Sequence, residues 1–198
     1  MNMQKIMKYS PKHGLFLLTL LILTVATLNV PMVHAAGTAV TWTGSARDGK
    51  WETAANWVFG NVPGVNDQVT ISGPVTVSLS SPATIAGLVL QAPAVLNCNA
   101  GCSLTRGISN YGTVNNYGII TDFLGGTIEN FGDGTINNSG AIMIYHISTN
   151  SGTITNNHGG NIRYVGGIAN SGIITNKCGG IISGTGTVSG KSVNMLKC

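Results

Sequence analysis

The second half of the chain repeats a short phrase in which an aliphatic residue is followed two positions later by Asn, with Gly close behind. The aliphatic anchors of this phrase lie six or eight residues apart. They are Ile108, Val114, Ile128, Ile136, Ile154, Ile168 and Ile174, with degenerate copies at Ile120, Ile142, Ser148, Ile162, Ile182 and Val188. Apolar and polar side chains alternate within a phrase, as in Thr153-Ile154-Thr155, and this period of two predicts β-strands.

The steps between anchors add up to a fixed period. Two steps of six and one of eight bring an anchor back at 108, 128, 148, 168 and 188, and Ser148 alone in this series is not aliphatic. Short strands at a fixed period, with Gly at the corners, are typical of a stacked solenoid. The expected fold is all-β: a right-handed parallel β-helix with three short strands per coil of about 20 residues, stacked at the strand spacing of roughly 4.8 Å.

Asn and Gly suit the corners between these strands. Both tolerate left-handed backbone angles, and stacked Asn side chains can form ladders or bond to nearby corner amides. A disordered Gly/Asn-rich tract is the alternative, but the recurring Ile and Val positions argue for a packed core. Residues 104–198 are therefore predicted to be β-helix repeats that end in a C-terminal coil.

Residues 1–36 have the features of a secretory signal peptide. Lys5, Lys8 and Lys12 precede a mostly apolar run over 14–25, and Ala35 and Ala36 offer a cleavage site. A transmembrane anchor is the alternative, but the run is short for a span of ~20 residues. We therefore expect a secreted protein, extracellular or at the cell surface, with no membrane span after cleavage.

The rest of the chain is nearly neutral. Without the three lysines of the leader, seven of the ten basic residues remain against six acidic ones, so the formal charge of +4 says little about partners. No basic patch is visible, and nucleic acid is not an expected partner. The remaining residues suffice for one domain with a sizeable core.

Residues 37–103 differ from the repeats because they contain all three tryptophans, Trp42, Trp51 and Trp57. Alternating runs over 75–79 and 85–90, split by Gly, Pro and Ser, predict strands. The end coil of a solenoid has no neighbour to cover its open face, and tryptophans supply a large apolar area. We therefore predict an N-terminal cap followed by the first coils; an aromatic platform for sugar rings is the alternative.

The order of motifs in this region resembles a known class of proteins. The residues concerned are Trp42-Thr43-Gly44, Trp51, Ala55-Asn56-Trp57, Pro63, Asp67 and Val69-Thr70-Ile71, followed by the Asn/Gly/Thr/Ile repeats. The arrangement is similar to the start of secreted β-helix surface proteins, such as autotransporter-type adhesin passengers and archaeal cell-surface repeat proteins. The resemblance covers most of the chain after residue 36 and implies a β-helix at a cell surface.

The four cysteines form two pairs. Cys178 and Cys198 are twenty residues apart, which is one coil, so their Cα atoms should lie about 5 Å apart, within the range of a disulfide. An even cysteine count in an exported chain fits oxidation, and Cys98–Cys102 is the second expected bond. A zinc site is the rival, but the two pairs should lie at opposite ends of the repeats.

Catalytic and ligand-binding motifs are sparse. Glu129 and Asp133, with Asp122 one step earlier, could flank a sugar, but we interpret them as solvated corner charges. His146 and His158 have no sequence partner that would form a triad or metal site. We expect no enzyme activity, no cofactor and no metal.

The outer surface offers residues for two further ligands, ice and glycan. Outward threonines at Thr153, Thr155 and Thr175 are of the kind that binds ice, but Ile173 interrupts the row and no extended array is expected. Four tyrosines could contact a glycan, although ordinary packing at the corners is the favoured interpretation: Tyr111, Tyr117, Tyr145 and Tyr164.

The remaining expectation is a structural role. A solenoid has two ends with unpaired backbone groups, through which chains could associate end to end. The sequence therefore predicts a non-enzymatic extracellular structural protein, a self-assembling filament or a surface-layer or sheath subunit. The alternative is a surface adhesin or glycan-binding module.

Overall fold

The computed structural model describes residues 37–104, 106–122 and 125–198, and the signal peptide predicted for residues 1–36 lies outside them. The chain forms an all-β parallel solenoid of about six turns, in which the coils contribute strands to three parallel sheets. This confirms the three-strand coil predicted from the anchor spacing. The right-handed sense of the coil stays a prediction.

The strands are short and evenly distributed. In chain order they are β1 (Ala39–Thr41), β2 (Gln68–Ile71), β3 (Thr76–Leu79), β4 (Ala83–Ile85), β5 (Gly87–Leu90), β6 (Val95–Cys98), β7 (Gly101–Leu104), β8 (Gly107–Asn110), β9 (Thr113–Asn116), β10 (Ile119–Asp122), β11 (Thr127–Asn130), β12 (Thr135–Asn138), β13 (Ala141–Ile144), β14 (Ile147–Asn150), β15 (Thr153–Asn156), β16 (Asn161–Tyr164), β17 (Gly167–Asn170), β18 (Ile173–Asn176), β19 (Ile181–Gly184), β20 (Thr187–Gly190) and β21 (Asn194–Met195). Two single-turn 3-10 helices span Ala54–Asn56 and Val58–Gly60. Within the part of the chain that is described, no helix has the length and apolarity needed to cross a bilayer.

Each sheet takes one strand from each successive coil. Sheet I has the order β1-β2-β5-β8-β11-β14-β17-β20, sheet II the order β3-β6-β9-β12-β15-β18-β21, and sheet III the order β4-β7-β10-β13-β16-β19. In sheet I, Ile108 pairs with Ile128 and Ser148 pairs with Ile168, as the period of twenty predicts. The register of sheet II differs, because the steps of eight fall at different points of the coil.

The core is a column of aliphatic side chains along the solenoid axis. Alternation along each strand sends one set of side chains inward, and stacking aligns the inward positions of neighbouring coils. The column includes Val69, Leu88, Ile108, Ile128 and Ile168 from sheet I, Val77, Leu96, Val114, Ile136, Ile154 and Ile174 from sheet II, and Ile85, Ile120, Ile142 and Ile162 from sheet III. This burial is the principal stabilising contribution that the apolar anchors make.

A tryptophan cluster lies near the N-terminal end of the column and belongs to the same buried core. The indole of Trp57 packs edge-on against Trp42 and Trp51, with ring centroids 4.8 and 4.7 Å apart. Trp57 Nε1 donates a hydrogen bond to the Trp51 carbonyl at 2.7 Å. All three rings are buried, so they do not present a platform for sugar rings.

The backbone around the tryptophan cluster also forms hydrogen bonds with the first strands of sheets I and II. Trp51 N donates to the Ser78 carbonyl at 3.0 Å, and Ser78 N donates to the Gly49 carbonyl at 2.8 Å. Chain from the cluster therefore pairs with β3, the first strand of sheet II. On sheet I, β1 pairs in parallel with β2.

Both disulfides expected from the sequence are present. Cys178 and Cys198 are bonded with their Cα atoms 4.9 Å apart, so the bond joins one coil to the next. Cys98 and Cys102 are bonded across the corner between β6 and β7. No cysteine of the described chain is free, and the four thiols therefore do not form a zinc site.

Candidate functional site

Two ladders of buried asparagines run along the corners of the solenoid. The first joins Asn110, Asn130, Asn150 and Asn170, which end successive strands of sheet I. The second joins Asn116, Asn138, Asn156 and Asn176 in sheet II. In each step Nδ2 of one side chain donates to Oδ1 of the next, at 2.8 Å in the first ladder and 2.7 Å in the second.

The ladder asparagines do not use the left-handed backbone angles that the sequence analysis allowed them. Among the described residues other than Gly, a positive φ occurs at Arg47 and Phe59, both in the N-terminal region. The asparagines are instead the last residues of extended strands, and their amides turn inward. Asn130 Nδ2, for example, also donates to the carbonyl of Gly134 at 3.0 Å. Of the two roles considered for Asn, side-chain bonding is therefore the one that applies to the ladders.

The outer surface of sheet II carries two aligned rows of polar side chains, which we call the Thr/Asn face. The first row consists of Thr76, Val95, Thr113, Thr135, Thr153 and Ile173, and the second of Ser78, Asn97, Asn115, Asn137, Thr155, Thr175 and Asn194. None of these outward side chains on the described strands of sheet II is charged.

The register of sheet II aligns three threonines of the first row on neighbouring strands. Thr135 pairs with Thr113 on one side and with Thr153 on the other, although these neighbours are 22 and 18 residues away rather than twenty. In the second row, Asn137 Nδ2 donates to Asn115 Oδ1 at 3.0 Å, which fixes the orientation of both amides. Val95 and Ile173 interrupt the first row on either side of these three threonines.

A buried carboxylate occupies one corner of sheet III. Asp122 ends β10, is completely buried, and accepts hydrogen bonds from the backbone N–H groups of Tyr145 at 2.6 Å and His146 at 3.3 Å. The ring Nδ1 of His146 lies 4.0 Å from Asp122 Oδ2. Burial raises the pKa of Asp122 above its ordinary value, and the two backbone donors oppose that shift. The Asp122 carboxylate therefore pairs with the backbone N–H groups of the turn that follows β13.

The three acidic residues that could flank a sugar have different surroundings. Glu129 lies on the outer surface of sheet I, where Ser109 Oγ donates to its Oε2 at 3.3 Å. Asp133 is exposed in the following corner, whereas Asp122 is buried at a corner of sheet III. Among the residues with described positions, no group of three His, Cys, Asp or Glu side chains could hold a metal ion.

The four tyrosines lie on different parts of the coil. The Tyr111 ring stacks on Phe131, with centroids 4.3 Å apart and an interplanar angle of 2°. Tyr117 and Tyr145 are 56% and 41% exposed at two other corners, and Tyr164 packs against the core. The structure therefore gives these side chains no common binding surface.

The two histidines differ in their surroundings. His146 faces Asp122, a contact that the sequence analysis missed because the two residues are 24 positions apart. His158 Nδ1 lies 3.1 Å from the carbonyl oxygen of Cys178, next to the disulfide of the following coil.

No protein-family model, no curated protein and no solved structure matches this chain. The class of protein is therefore defined by its fold: a β-solenoid with buried Asn ladders, a tryptophan cluster at its N-terminal end and two disulfides.

Proposed function

We propose that this chain is a non-enzymatic extracellular structural protein, whose solenoid is a rigid building block of a filament, surface layer or sheath. Two disulfides fit an oxidising compartment outside the cytoplasm. The ladders connect each repeat to the next through fully buried amides, which suits a stiff rod.

The observation that carries this proposal is the contrast between the two ends of the solenoid. The tryptophan cluster near the N-terminal end is buried, as described above. In the C-terminal coil, which comprises residues 181–198, the core residues Ile182, Val188 and Val193 are only partly buried. Ile181, Met195 and Leu196 are 56%, 64% and 53% exposed. This coil exposes apolar side chains beside unpaired strand edges, through which sheets can pair, and it also carries the exposed Lys191 and Lys197.

A second copy of the chain is the occupant that fits this surface. A two-fold axis across the C-terminal coil would place equivalent apolar residues and strand edges against one another, as in an isologous dimer. Because the tryptophan clusters would then face outward at both ends, growth into a filament or sheath would use contacts along the sides of the paired rods.

The experiment uses the oxidised protein without its leader, studied by sedimentation over a range of concentrations and by electron microscopy. We expect a dimer at low concentration and longer assemblies at high concentration. Leu196→Lys should shift the protein toward monomer, because it replaces an exposed apolar side chain by a further positive charge beside Lys197 in the proposed interface. Monomers at every concentration would contradict the proposal.

Tyr117→Lys is the matched control. Tyr117 occupies the same corner of sheet II as Leu196, in an earlier coil. Tyr117 N donates to the carbonyl of Cys98 at 2.8 Å, and Leu196 N donates to the carbonyl of Asn176 at 2.9 Å. Both acceptors are the last residues of the neighbouring strands of sheet II. The two side chains are 56% and 53% exposed. The control variant should assemble like the original protein, and equal loss in both variants would mean that the effect is not specific to the C-terminal coil.

The alternative function is a surface adhesin or glycan-binding module. The exposed phenol of Tyr117 favours it, since exposed aromatic rings offer sugars an apolar face with a polar edge. A glycan array distinguishes the two functions: under the alternative, specific binding is found and Tyr117→Lys abolishes it, whereas Leu196→Lys retains it.

A further inference from the structure

The Thr/Asn face has a two-dimensional regularity that the other two outer surfaces lack. Its members repeat from coil to coil because parallel pairing aligns equivalent residues, as for Thr113, Thr135 and Thr153 in the first row. Within a strand the two rows are separated by two residues, as for Thr135 and Asn137. The outer surfaces of sheets I and III, in contrast, include the charged residues Glu129 and Arg163.

The dimensions of this array follow from sheet geometry. Neighbouring coils are spaced at the strand separation of about 4.8 Å, and two residues along a strand span about 6.6 Å. Both spacings are close to the two repeat distances of the prism plane of hexagonal ice. A surface with this spacing can hold hydrogen-bonded waters in an ordered arrangement that continues into a crystal.

Rigidity is the second requirement, and the interior of the same strands provides it. The Asn ladder that joins Asn116, Asn138 and Asn156 lies at the ends of β9, β12 and β15, directly beneath the face. Side-chain ladders of this kind counteract the twist that would otherwise disorder the rows. On the outer side, the bond from Asn137 to Asn115 fixes the amides of the second row.

The chemistry of the face also fits ordered water. Threonine supplies one hydroxyl that can donate and accept, and asparagine supplies an amide with both kinds of group. A charged side chain would impose its own hydration shell, and the described face contains none. Val95 has nearly the shape of threonine but lacks the hydroxyl, and Ile173, which is larger and 50% exposed, ends the run of threonines.

We propose that the Thr/Asn face binds the surface of ice crystals. The ligand is a two-dimensional lattice of water molecules held by the hydroxyls and amides of the two rows. This activity does not depend on self-association through the C-terminal coil, because the face lies along the side of the solenoid.

The test measures inhibition of ice recrystallisation and partition of the protein into a slowly growing ice hemisphere. Thr135→Tyr places a large ring in the centre of the first row and retains a residue that favours strands. Thr149→Tyr is the matched control, because Thr149 is an outward threonine on β14 of sheet I, outside the face. Thermal unfolding of each variant shows whether it retains the fold.

We expect the original protein and the Thr149→Tyr variant to enter the ice and to inhibit recrystallisation, and Thr135→Tyr to lose both activities. If Thr135→Tyr does not fold, Thr153→Tyr is tested in its place. Exclusion of the original protein from ice overturns the proposal, and so does equal activity of the two variants. Binding to crystalline cellulose or chitin without any partition into ice also overturns it, and assigns the face to a polysaccharide.

Discussion

Asn130 and Asn150 lie one coil apart and share a hydrogen bond of 2.8 Å between Nδ2 of the first and Oδ1 of the second, although each side chain is only 1% exposed. The same geometry links Asn110 to Asn130 and Asn150 to Asn170. A buried amide is unfavourable unless its donors and acceptor are paired, and stacking provides those partners within the repeat itself.

Asn130→Ala should therefore destabilise the protein strongly. The substitution removes the acceptor of Asn110, the donor to Asn150 and the donor to the Gly134 carbonyl. Because buried polar groups without partners cost about 1–3 kcal/mol each, we expect the free energy of unfolding to fall by about 3 kcal/mol. Urea unfolding monitored by circular dichroism measures the change.

Asn161→Ala is the control for this substitution. Asn161 begins β16 with an exposed, outward side chain, so its removal should alter the free energy of unfolding by less than about 0.5 kcal/mol. Similar losses for the two variants would show that the ladder has no special role.

The disulfide between Cys178 and Cys198 should protect the C-terminal coil from local opening. It closes a loop with a sequence separation of 20. In the chain-entropy treatment, a loop of this size raises the free energy of the unfolded chain by about 3 kcal/mol. In the double variant Cys178→Ser/Cys198→Ser, we expect faster amide hydrogen exchange in β19–β21.

Exchange in the middle of the solenoid provides the internal reference. The amide of Thr135, bonded to the Gly112 carbonyl at 2.8 Å, should remain protected in the same variant. Uniformly faster exchange along the chain would mean that the bond stabilises the whole fold rather than its last coil.

Asp122 should make stability fall as pH rises. Burial raises its pKa in the folded protein above the ordinary value of 3.8, so the folded state binds this proton more tightly than the unfolded state. The stability that this proton contributes is fully present below pH 3.8 and is lost as the pH rises through the folded pKa. Above the folded pKa, the contribution of Asp122 no longer changes with pH. The difference in free energy of unfolding between the original protein and Asp122→Asn, measured by urea titration at several pH values, should follow this course.

Asp48 provides a comparison of opposite sign. Hydrogen bonds from the Thr53 hydroxyl, the Lys50 backbone and the Asn56 amide lower its pKa to about 2. The contribution of Asp48 to the free energy of unfolding is therefore fully present above pH 3.8, its ordinary pKa, and is lost as the pH falls toward 2. If the free energy of unfolding of Asp122→Asn and Asp48→Asn differed from that of the original protein with the same pH dependence, the opposite pKa shifts assigned to the two carboxyl groups would be contradicted.

Close stacking of the corners should make some glycines irreplaceable. A Cβ at Gly172 would meet the carbonyl oxygen of Gly152 and the backbone of Ser151 in the coil below. We expect Gly172→Ala to lower the free energy of unfolding by about 1–3 kcal/mol, as overpacking does. Chemical denaturation measures the loss.

Gly132→Ala is the corresponding control, since a Cβ at Gly132 meets nothing within 4 Å. Gly132 is exposed in the corner after β11, and its replacement should have little effect. If both variants unfold alike, the contact at Gly172 is relieved by a small shift of the backbone.

The sequence predicts sheet I well from β5 onward, because the period there is constant at twenty residues. Ile108, Ile128 and Ile168 occupy equivalent inward positions, and the same count places Cys178 beside Cys198. Both results depend only on residues that are one full period apart, so no knowledge of the corners is needed.

Features that depend on the corners could not be predicted in this way. In sheet II the neighbours of Thr135 are 22 and 18 residues away, so a uniform period misaligns them and conceals the Thr/Asn face. Asp122 and His146 meet because β10 and β13 are parallel neighbours in sheet III, so the corner after β13 lies beside the end of β10. Alternation along a strand gives no information about that contact.

The repeated ladder makes the length of this protein adjustable in whole units. Removal of residues 131–150 would connect Asn130 directly to Ser151, and would place Asn130 beneath Asn170 and Asn116 beneath Asn156. Every remaining amide would find a partner of the same kind, and the tryptophan cluster and the Cys178–Cys198 bond would be untouched. Shorter and longer versions of the rod are therefore accessible through the loss or duplication of one module, without redesign of either end.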